Sequence, residues 1–239
     1  MRVIVVIMKA AILAGGHGKR LRPITESVPK ALVEVGKRPI IEWQILWLRS
    51  CGISSFVILT GYLGKKLEEH LDMRKKAWNV GIEYSEEKEP LGTGGALLNA
   101  ESLLEGEESF IMLNGDNITN IDIRQLGLDG SVAAIALVPL RSTFGIAVLN
   151  NDRISEFLEK PTLNEYWMNA GVYLMRSDIF RYLPEKGDLE KTAFVALSKK
   201  LILKGAKFPN AYFKGVDSIK DKEEAAADLD SGTVFKEFG

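Results

Sequence analysis

One cysteine, Cys51, stands in the 239 residues, so no internal disulfide framework is available to the fold. A lone thiol fits a reducing, intracellular setting, and the cytoplasm is the expected location. Charge of one sign is not in excess: 31 Lys and Arg stand against 32 Asp and Glu. No global field then draws nucleic acid or an acidic lipid surface, and any anion site has to come from local clustering. No apolar run reaches the ~18 residues of a membrane span. Residues 3–13 come nearest. Lys9 interrupts them, and a glycine loop follows where a signal peptide would show its cleavage site. Low-complexity tracts, internal repeats and linkers are missing as well, which leaves one domain over 1–239 as the expectation. Met8 fits as a start, because MKAAILAGG is self-sufficient as a first strand and loop. Residues 1–7 then read as an N-terminal extension, or as an added stretch of edge strand.

What is present alternates. Strand-like apolar runs at 9–14, 55–60, 82–85, 110–114, 132–139, 145–149, 154–158, 171–175 and 207–213 interleave with helical patterns. The helical patterns lie at 39–50, 65–71, 94–104, 178–183, 189–204 and 221–229. This order predicts an α/β fold with a mainly parallel central sheet flanked by helices. The strand-rich stretch 131–175 predicts an antiparallel or β-rich insertion beside that core. Pro39 fits a first helical position, and Gly52 the residue after a helix end.

The stretch 10–30, AAILAGGHGKRLRPITESVPK, carries the most chemistry. A buried strand opens into Gly15, Gly16 and Gly18, and the cations Lys19, Arg20, Arg22 and Lys30 follow. Glycines let backbone N–H groups approach a ligand because no Cβ stands in the way. Cations just beyond suit a polyphosphate. A dinucleotide fingerprint fails, since position 21 is Leu and Pro23 and Pro29 break any strand–loop–helix unit. The Walker pattern fails for want of a Lys-Ser/Thr pair. Pro29 fixes the backbone ahead of Lys30, whose flexible ammonium can then reach a phosphate as a point charge. His17 lies inside the loop and looks like a base, but the chemistry drawn below needs none.

Further along, Gly92-Thr93-Gly94-Gly95 opens an apolar helix after the acidic stretch 86–89. Those glycines would let a flat ring lie against the backbone, with Thr93 as the helix cap. FIMLNGDN at 110–117 puts Asp116 at the carboxyl end of a buried strand, where open α/β sheets bind ligands. Its carboxylate is a hard donor suited to Mg²⁺, which takes one or two carboxylates plus substrate phosphates. Glu159 would accept sugar hydroxyl protons and Lys160 would hold a second phosphate. Asn169, just ahead of Gly171, would hydrogen-bond a polyol, and Gly145 would admit a sugar ring close to the backbone. Asp217 reads either as a second metal ligand or as a cap for the last helix. Taken singly, each of these is also an ordinary turn or cap. His70, Cys51 and the four tryptophans (43, 47, 78 and 167) read as packing or surface features.

In this order the segments resemble the sugar-1-phosphate nucleotidylyltransferase family. Its pattern is a GGxGTRLxPLT…PK loop, a base-binding LGT segment, GD, EKP, NAG and a late Asp. The resemblance runs from Met8 to about Glu224. Glu87-Lys88-Glu89-Pro90-Leu91-Gly92-Thr93 points to the mannose-1-phosphate and heptose-1-phosphate guanylyltransferase-like branch. The resemblance implies a Rossmann-like nucleotide-diphospho-sugar transferase fold with a mixed, mainly parallel sheet. It implies that Ala14, Gly15, Gly16, Gly18 and Arg20 cradle the triphosphate and that Lys30 reaches the reacting phosphate. Glu87, Gly92 and Thr93 would meet the base, and Asp116 and Asp217 would hold Mg²⁺. Gly145, Glu159, Asn169 and Gly171 would contact the sugar, and Lys160 its phosphate. Arg20, Lys30 and Asp116 are then the catalytic residues. Two departures stand out. Lys19 replaces the family's Thr, and Asp217-Ser218-Ile219 replaces an Asp-x-Gly turn. The hexapeptide-repeat β-helix of many relatives has no counterpart in the sequence, so acyltransferase activity and repeat-mediated assembly are not implied. A homo-oligomer stays open.

The implied reaction transfers a nucleoside monophosphate from a nucleoside triphosphate to a sugar-1-phosphate and releases pyrophosphate. The attacking oxygen is already anionic near neutral pH, so no general base is needed. The obstacle is bringing two polyanions together: unit charges ~4 Å apart interact by roughly 4 kcal/mol at an effective dielectric of about 20. Mg²⁺, Arg20, Lys30 and Lys160 would supply the screening charge. Glu87 offers only acceptors, which suits the N1–H and N2–H₂ edge of guanine. GTP with a mannose-1-phosphate-like acceptor is therefore favoured. UTP, dTTP or CTP with glucose-1-phosphate is the alternative. A catalytically silent regulatory subunit that binds nucleotide-sugar is a third reading, opposed by the presence of Arg20, Lys30 and Asp116 together.

Overall fold

The computed structural model describes residues 8–232 and 234–235, so the expected extension at 1–7 lies outside the described residues. Strand β1 (Lys9–Leu13) leads through three single-turn 3₁₀ helices to the short pair β2 (Glu34–Val35) and β3 (Arg38–Pro39). Helix α1 (Ile40–Ser50), β4 (Ser55–Thr60), α2 (Gly64–Trp78), β5 (Gly81–Glu86), α3 (Gly92–Asn99), α4 (Glu101–Leu104) and β6 (Ser109–Asn114) follow. Then come β7 (Asn117–Thr119), β8 (Ala133–Arg141), β9 (Ile146–Asn150), β10 (Arg153–Leu158) and the long β11 (Thr162–Arg176). Helix α5 (Ala193–Lys199), β12 (Leu203–Lys207), β13 (Phe213–Gly215) and α6 (Ile219–Asp230) complete the chain.

Seven strands form the central sheet in the order β12-β8-β11-β6-β1-β4-β5. β1 pairs in parallel with β4 and β6, β4 with β5, and β12 with β8. β11 alone runs the other way, antiparallel to both β6 and β8. Strands buried on both faces are apolar throughout, and β1, β4 and β6 follow that rule. Their alternate residues feed two separate layers. Ala10, Ile12, Phe56, Ile58, Ile111 and Leu113 pack on α1 and α2, while Ala11, Val57, Leu59, Phe110 and Met112 pack on α3, α4 and α5. In α2 only the stripe of Leu67, Leu71 and Trp78 is apolar and buried. Gly52, at φ 97°, turns the chain out of α1, as its position after the helix suggests. His70 is tied down as well: its Nε2 lies 2.7 Å from Oε1 of Glu42, a carboxylate buried in the first turn of α1.

β1, β4, β5 and β6 all end on the same edge of the sheet. That edge receives the loops after Leu13, Thr60, Glu86 and Asn114. β7 and β13 form an antiparallel pair beyond it, and the Val216 N–H donates to the Asp116 carbonyl at 2.8 Å. This pairing is what brings residue 217 next to residue 116.

Four sequence expectations are corrected. The strand expected at 207–213 is two strands, β12 and β13, separated by a loop through Pro209. The helix expected at 189–204 is only α5, because β8 captures Leu203–Lys207 as a parallel partner. The helix expected at 178–183 is a 3₁₀ segment, Ser177–Tyr182. The strand-rich stretch 131–175 is mostly not an insertion, since β8 and β11 belong to the main sheet. Only β9 and β10 form a separate two-stranded ribbon.

Candidate active site

The glycine loop leaves β1 at Ala14, and three adjoining cavities open around it. The central one, about 340 Å³, is lined by Ala14, Gly15, Gly16, Gly18, Lys30, Glu87, Gly92, Thr93 and Asp116, among others. A second, about 220 Å³, shares Gly18, Lys30 and Asp116 with it and adds Lys19, Arg20 and Asp217. A third, about 300 Å³, shares Gly15, His17, Glu87 and Pro90 and adds Gly61 and Tyr62. Together they make a trough along the carboxyl edge of the sheet.

Two glycines are dictated by close approach. Gly18 sits at φ 60°, and a Cβ there would lie 2.9 Å from Thr25 Cγ2 and 3.1 Å from Lys30 Cβ. The turn therefore packs directly on the Lys30 stem. A Cβ at Gly115 would lie 1.8 Å from the Leu13 carbonyl oxygen, so only glycine lets the ends of β1 and β6 meet. That contact sets Asp116 beside the glycine loop.

The charged end of the trough is built on Lys30. Its ammonium donates to Asp116 Oδ2 at 2.8 Å and to Asp217 Oδ1 at 2.7 Å. An Arg20 guanidinium nitrogen lies 2.9 Å from the same Asp217 oxygen. Burial draws the Lys30 pKa down, but its contacts with Asp116 and then Asp217 outweigh that and leave it above its ordinary value. The Lys30 side chain is only 14% exposed, while both carboxylates remain about a third exposed. Asp217 is free for this role because Ser218 caps α6, in a reciprocal box with Asp221. In Asp217-Ser218-Ile219 the middle residue is the helix cap and Ile219 stands at the glycine position of the Asp-x-Gly pattern, so the reading of Asp217 as the cap is set aside.

Two carboxylates converging on one cation also fit a divalent metal. Among the described residues no group of three or more His, Cys, Asp or Glu could hold an ion. The protein offers two hard oxygen donors and leaves the remaining positions to phosphate and water, which is the pattern Mg²⁺ takes.

At the other end, Glu87 is wedged between two backbones. Its Oε1 lies 2.7 Å and 2.8 Å from where a Cβ would stand at Gly15 and Gly61. Its Oε2 accepts the Leu91 N–H at 3.0 Å. His17, itself exposed, stacks on Tyr62 with ring centroids 4.5 Å apart and borders two of the cavities.

The second glycine cluster plays a different part from the one expected. Thr93 does not cap α3. It sits inside the helix, donates to Glu190 at 2.8 Å and accepts the Leu189 N–H at 2.8 Å. What lies against Gly94 and Gly95 is the loop at 184–187, whose Gly187 carbonyl accepts both their N–H groups. No flat ring has access there, although Gly92 and Thr93 still face the trough.

None of the five expected sugar contacts lines any of the three cavities, and they fall in two places. Gly171, at φ 63°, forms a bulge in β11 beside Asn114, and its N–H donates to Asn169 Oδ1 at 2.8 Å. Asn169 Nδ2 donates to the Tyr173 hydroxyl at 2.9 Å, so much of its amide serves the bulge. Gly145, Glu159 and Lys160 lie at the root of the β9–β10 ribbon and line none of the three cavities. A Cβ at Gly145 would meet Phe157 Cζ at 2.5 Å, so that ring, and not a sugar, occupies the space over the glycine.

Asn114 and Asp188 line the central cavity and were not singled out from the sequence. The Asn114 Oδ1 is buried without a hydrogen-bond partner. Its place one residue before Gly115-Asp116 was the available signal.

Known proteins resemble this chain in sequence and in fold. The model of the family described as Nucleotidyl transferase matches residues 9–216. The mannose-1-phosphate guanyltransferase of Saccharomyces cerevisiae is 36% identical over 205 residues, 80% of this chain and 56% of that protein. The mannose-1-phosphate guanylyltransferase catalytic subunit beta of Danio rerio is 34% identical over 206 residues, with the same shares. The chain thus spans about half the length of these curated relatives. Among solved structures, HddC from Yersinia pseudotuberculosis complexed with GMP-PN superposes with a TM-score of 0.69 at 26% identity, covering 93% of this chain and 100% of that one. A UDP-glucose pyrophosphorylase complexed with UDP-glucose shares the fold, with a TM-score of 0.72 at 20% identity over 95% of this chain and 99% of that one. With the family model matching residues 9–216, the whole central sheet and every trough residue named above except Asp217, this chain belongs to the nucleotidyl transferase family.

Proposed function

We propose that this chain transfers GMP from GTP to mannose-1-phosphate or a closely similar sugar-1-phosphate, with Mg²⁺, and releases pyrophosphate. The observation that carries the reading is the Lys30 ammonium held between Asp116 and Asp217 beside an open glycine loop. The names of the curated relatives support the sugar and the base, and so does the GMP-PN complex of HddC. Glu87 supports guanine independently: with one oxygen on the Leu91 N–H, it still offers acceptors to the N1–H and N2–H₂ edge.

The sugar phosphate oxygen attacks the α-phosphate in line, and pyrophosphate departs. Backbone N–H groups of the loop at 14–18 hold the triphosphate, and the Arg20 and Lys30 cations screen the two polyanions from each other. Lys30 turns from the carboxylates toward the transferring phosphate, a swing its four-carbon stem permits. Asp116 and Asp217 would hold Mg²⁺, which when bound neutralises phosphate charge and favours pyrophosphate as a leaving group. Asn169 and Gly171, near Asn114, would contact the sugar. Glu159 and Lys160 would meet the sugar and its phosphate from the ribbon.

The test is a matrix of GTP, UTP, dTTP, CTP and ATP against mannose-, glucose- and heptose-1-phosphates, read as pyrophosphate release with and without Mg²⁺. Release confined to GTP pairs supports the proposal. Release with UTP or dTTP and glucose-1-phosphate replaces the substrate assignment, and silence throughout replaces the enzyme reading.

A further inference from the structure

We propose, resting on the metal-binding role given to Asp116 above, that Gln44 is a positioning residue for that carboxylate and that its buried amide raises the affinity of the site for a divalent metal. Helix α1 buries two polar side chains. Glu42 stands in its first turn and has His70, Arg38 and Arg74 as ion partners. Gln44 follows two residues later, 2% exposed, among the fully buried Ile40, Ile41, Ile45 and Leu48.

The amide of Gln44 is only half used. Its Nε2 donates to the Asn114 carbonyl at 3.0 Å and to the Asn117 carbonyl at 2.8 Å. Its Oε1 is buried and has no hydrogen-bond partner among the described residues. The amide cannot be turned over, because its oxygen would then face two carbonyl oxygens. A buried acceptor left unpaired costs stability that an apolar side chain of the same shape would not. Packing of α1 therefore does not call for glutamine at this position. The two carbonyls it holds do, since Gly115 and Asp116 lie between them.

One amide thus grips the chain on both sides of Asp116. Other bonds complete the hold. The Val216 N–H takes the Asp116 carbonyl at 2.8 Å. One helical turn after Gln44, Trp47 Nε1 donates to the Ile121 carbonyl at 3.2 Å, so the same face of α1 meets the segment twice. From the far side, Asn117 Nδ2 donates to the Ala170 carbonyl in β11 at 3.1 Å. The carboxylate itself hangs from this fixed main chain. Among the described residues its one side-chain partner is Lys30. A metal that displaces that ammonium leaves only the main chain to keep the carboxylate in place. With two protein carboxylates to grip the ion, the placement of each carries much of the affinity. Outer groups that orient a ligand in this way are typically worth about 10–100-fold in metal affinity or activity.

The experiment is Mn²⁺ titration, followed by electron paramagnetic resonance, of the wild-type chain, Gln44→Met, Ile45→Val and Asp116→Asn. Methionine keeps the length of glutamine and removes both donors. Ile45→Val loosens the core at the next residue of α1 and touches none of these bonds. Gln44→Met is expected to bind Mn²⁺ about tenfold more weakly, with Ile45→Val like wild type and Asp116→Asn the weakest. In turnover, Gln44→Met should raise the KM for Mg²⁺ by the same factor and leave the KM for mannose-1-phosphate and the metal-free affinity for GTP unchanged. Wild-type Mn²⁺ affinity in Gln44→Met overturns the proposal and leaves Asp116 as a metal ligand. A loss matched by Ile45→Val overturns it as well, since a looser α1 would then be the cause. Wild-type affinity in Asp116→Asn overturns the metal role of Asp116, and the role of Gln44 falls with it. If Gln44→Met does not fold, Gln44→Asn, whose amide stops one carbon short of both carbonyls, takes its place with the same expected loss and the same contrary results.

Discussion

Lys30 Nζ stands 2.7 Å from Asp217 Oδ1 although 187 residues separate them, and the same ammonium reaches Asp116. Three segments of chain therefore meet at one cation, in the position where two carboxylates would also grip a metal. The lysine and the metal compete for the same oxygens. Lys30→Met is expected to bind Mn²⁺ roughly tenfold more tightly without nucleotide, because the competing charge is gone. The same variant should lose about 10²–10³ in kcat with little change in GTP affinity. Isothermal titration and steady-state kinetics check the two halves. Unchanged metal affinity would remove the competition, and near-normal turnover would remove Lys30 from the chemistry.

The raised pKa of Lys30 has a definite sign. Its stabilising charge is fully present below the unfolded value of ~10.4 and is lost only as pH rises through the still higher folded value. The rate–pH profile should therefore show no lysine limb between pH ~6 and ~9. A limb in that window that disappears in Lys30→Met contradicts the pairing.

Gly115→Ala should be severely destabilising. The new methyl would sit 1.8 Å from the Leu13 carbonyl oxygen, in backbone that cannot turn aside. A loss of about 3 kcal/mol or more in urea unfolding is expected, at the upper end for overpacking. A midpoint within error of wild type would show that β1 and β6 do not meet as described.

Ser218→Ala should cost about 1 kcal/mol, the usual value of a lost N-cap. It should also raise the KM for metal, since the start of α6 holds Asp217 against Lys30. Stability falling with no change in metal KM would confine Ser218 to the helix.

The sequence disclosed the parts governed by local pattern. β1, β4 and β6 are continuous apolar runs ending in Gly or Asn, and their role as buried parallel strands follows from that. Lys30 and Asp116 were legible because each follows a fixed punctuation, Pro29 and Gly115. What was hidden depended on distant chain. Nothing local in 203–207 says that β8 will take it as a strand, so the helical pattern reads on as far as 204. Gly94, Gly95 and Gly145 look like ligand clearances, yet the approaching groups are the loop at 184–187 and the Phe157 ring. Whether Asp217 caps a helix or faces Lys30 was decided by Ser218 and by the β7–β13 pairing, a contact between segments almost 100 residues apart.

In the proposed reaction the trough joins a nucleoside monophosphate to a sugar phosphate. Phosphorus NMR of the chain with GTP, mannose-1-phosphate and Mg²⁺ tests it directly. Equal growth of pyrophosphate and of a new sugar-linked diphosphate, abolished in Asp116→Asn, is expected. Orthophosphate in place of pyrophosphate, or full activity in Asp116→Asn, would contradict it.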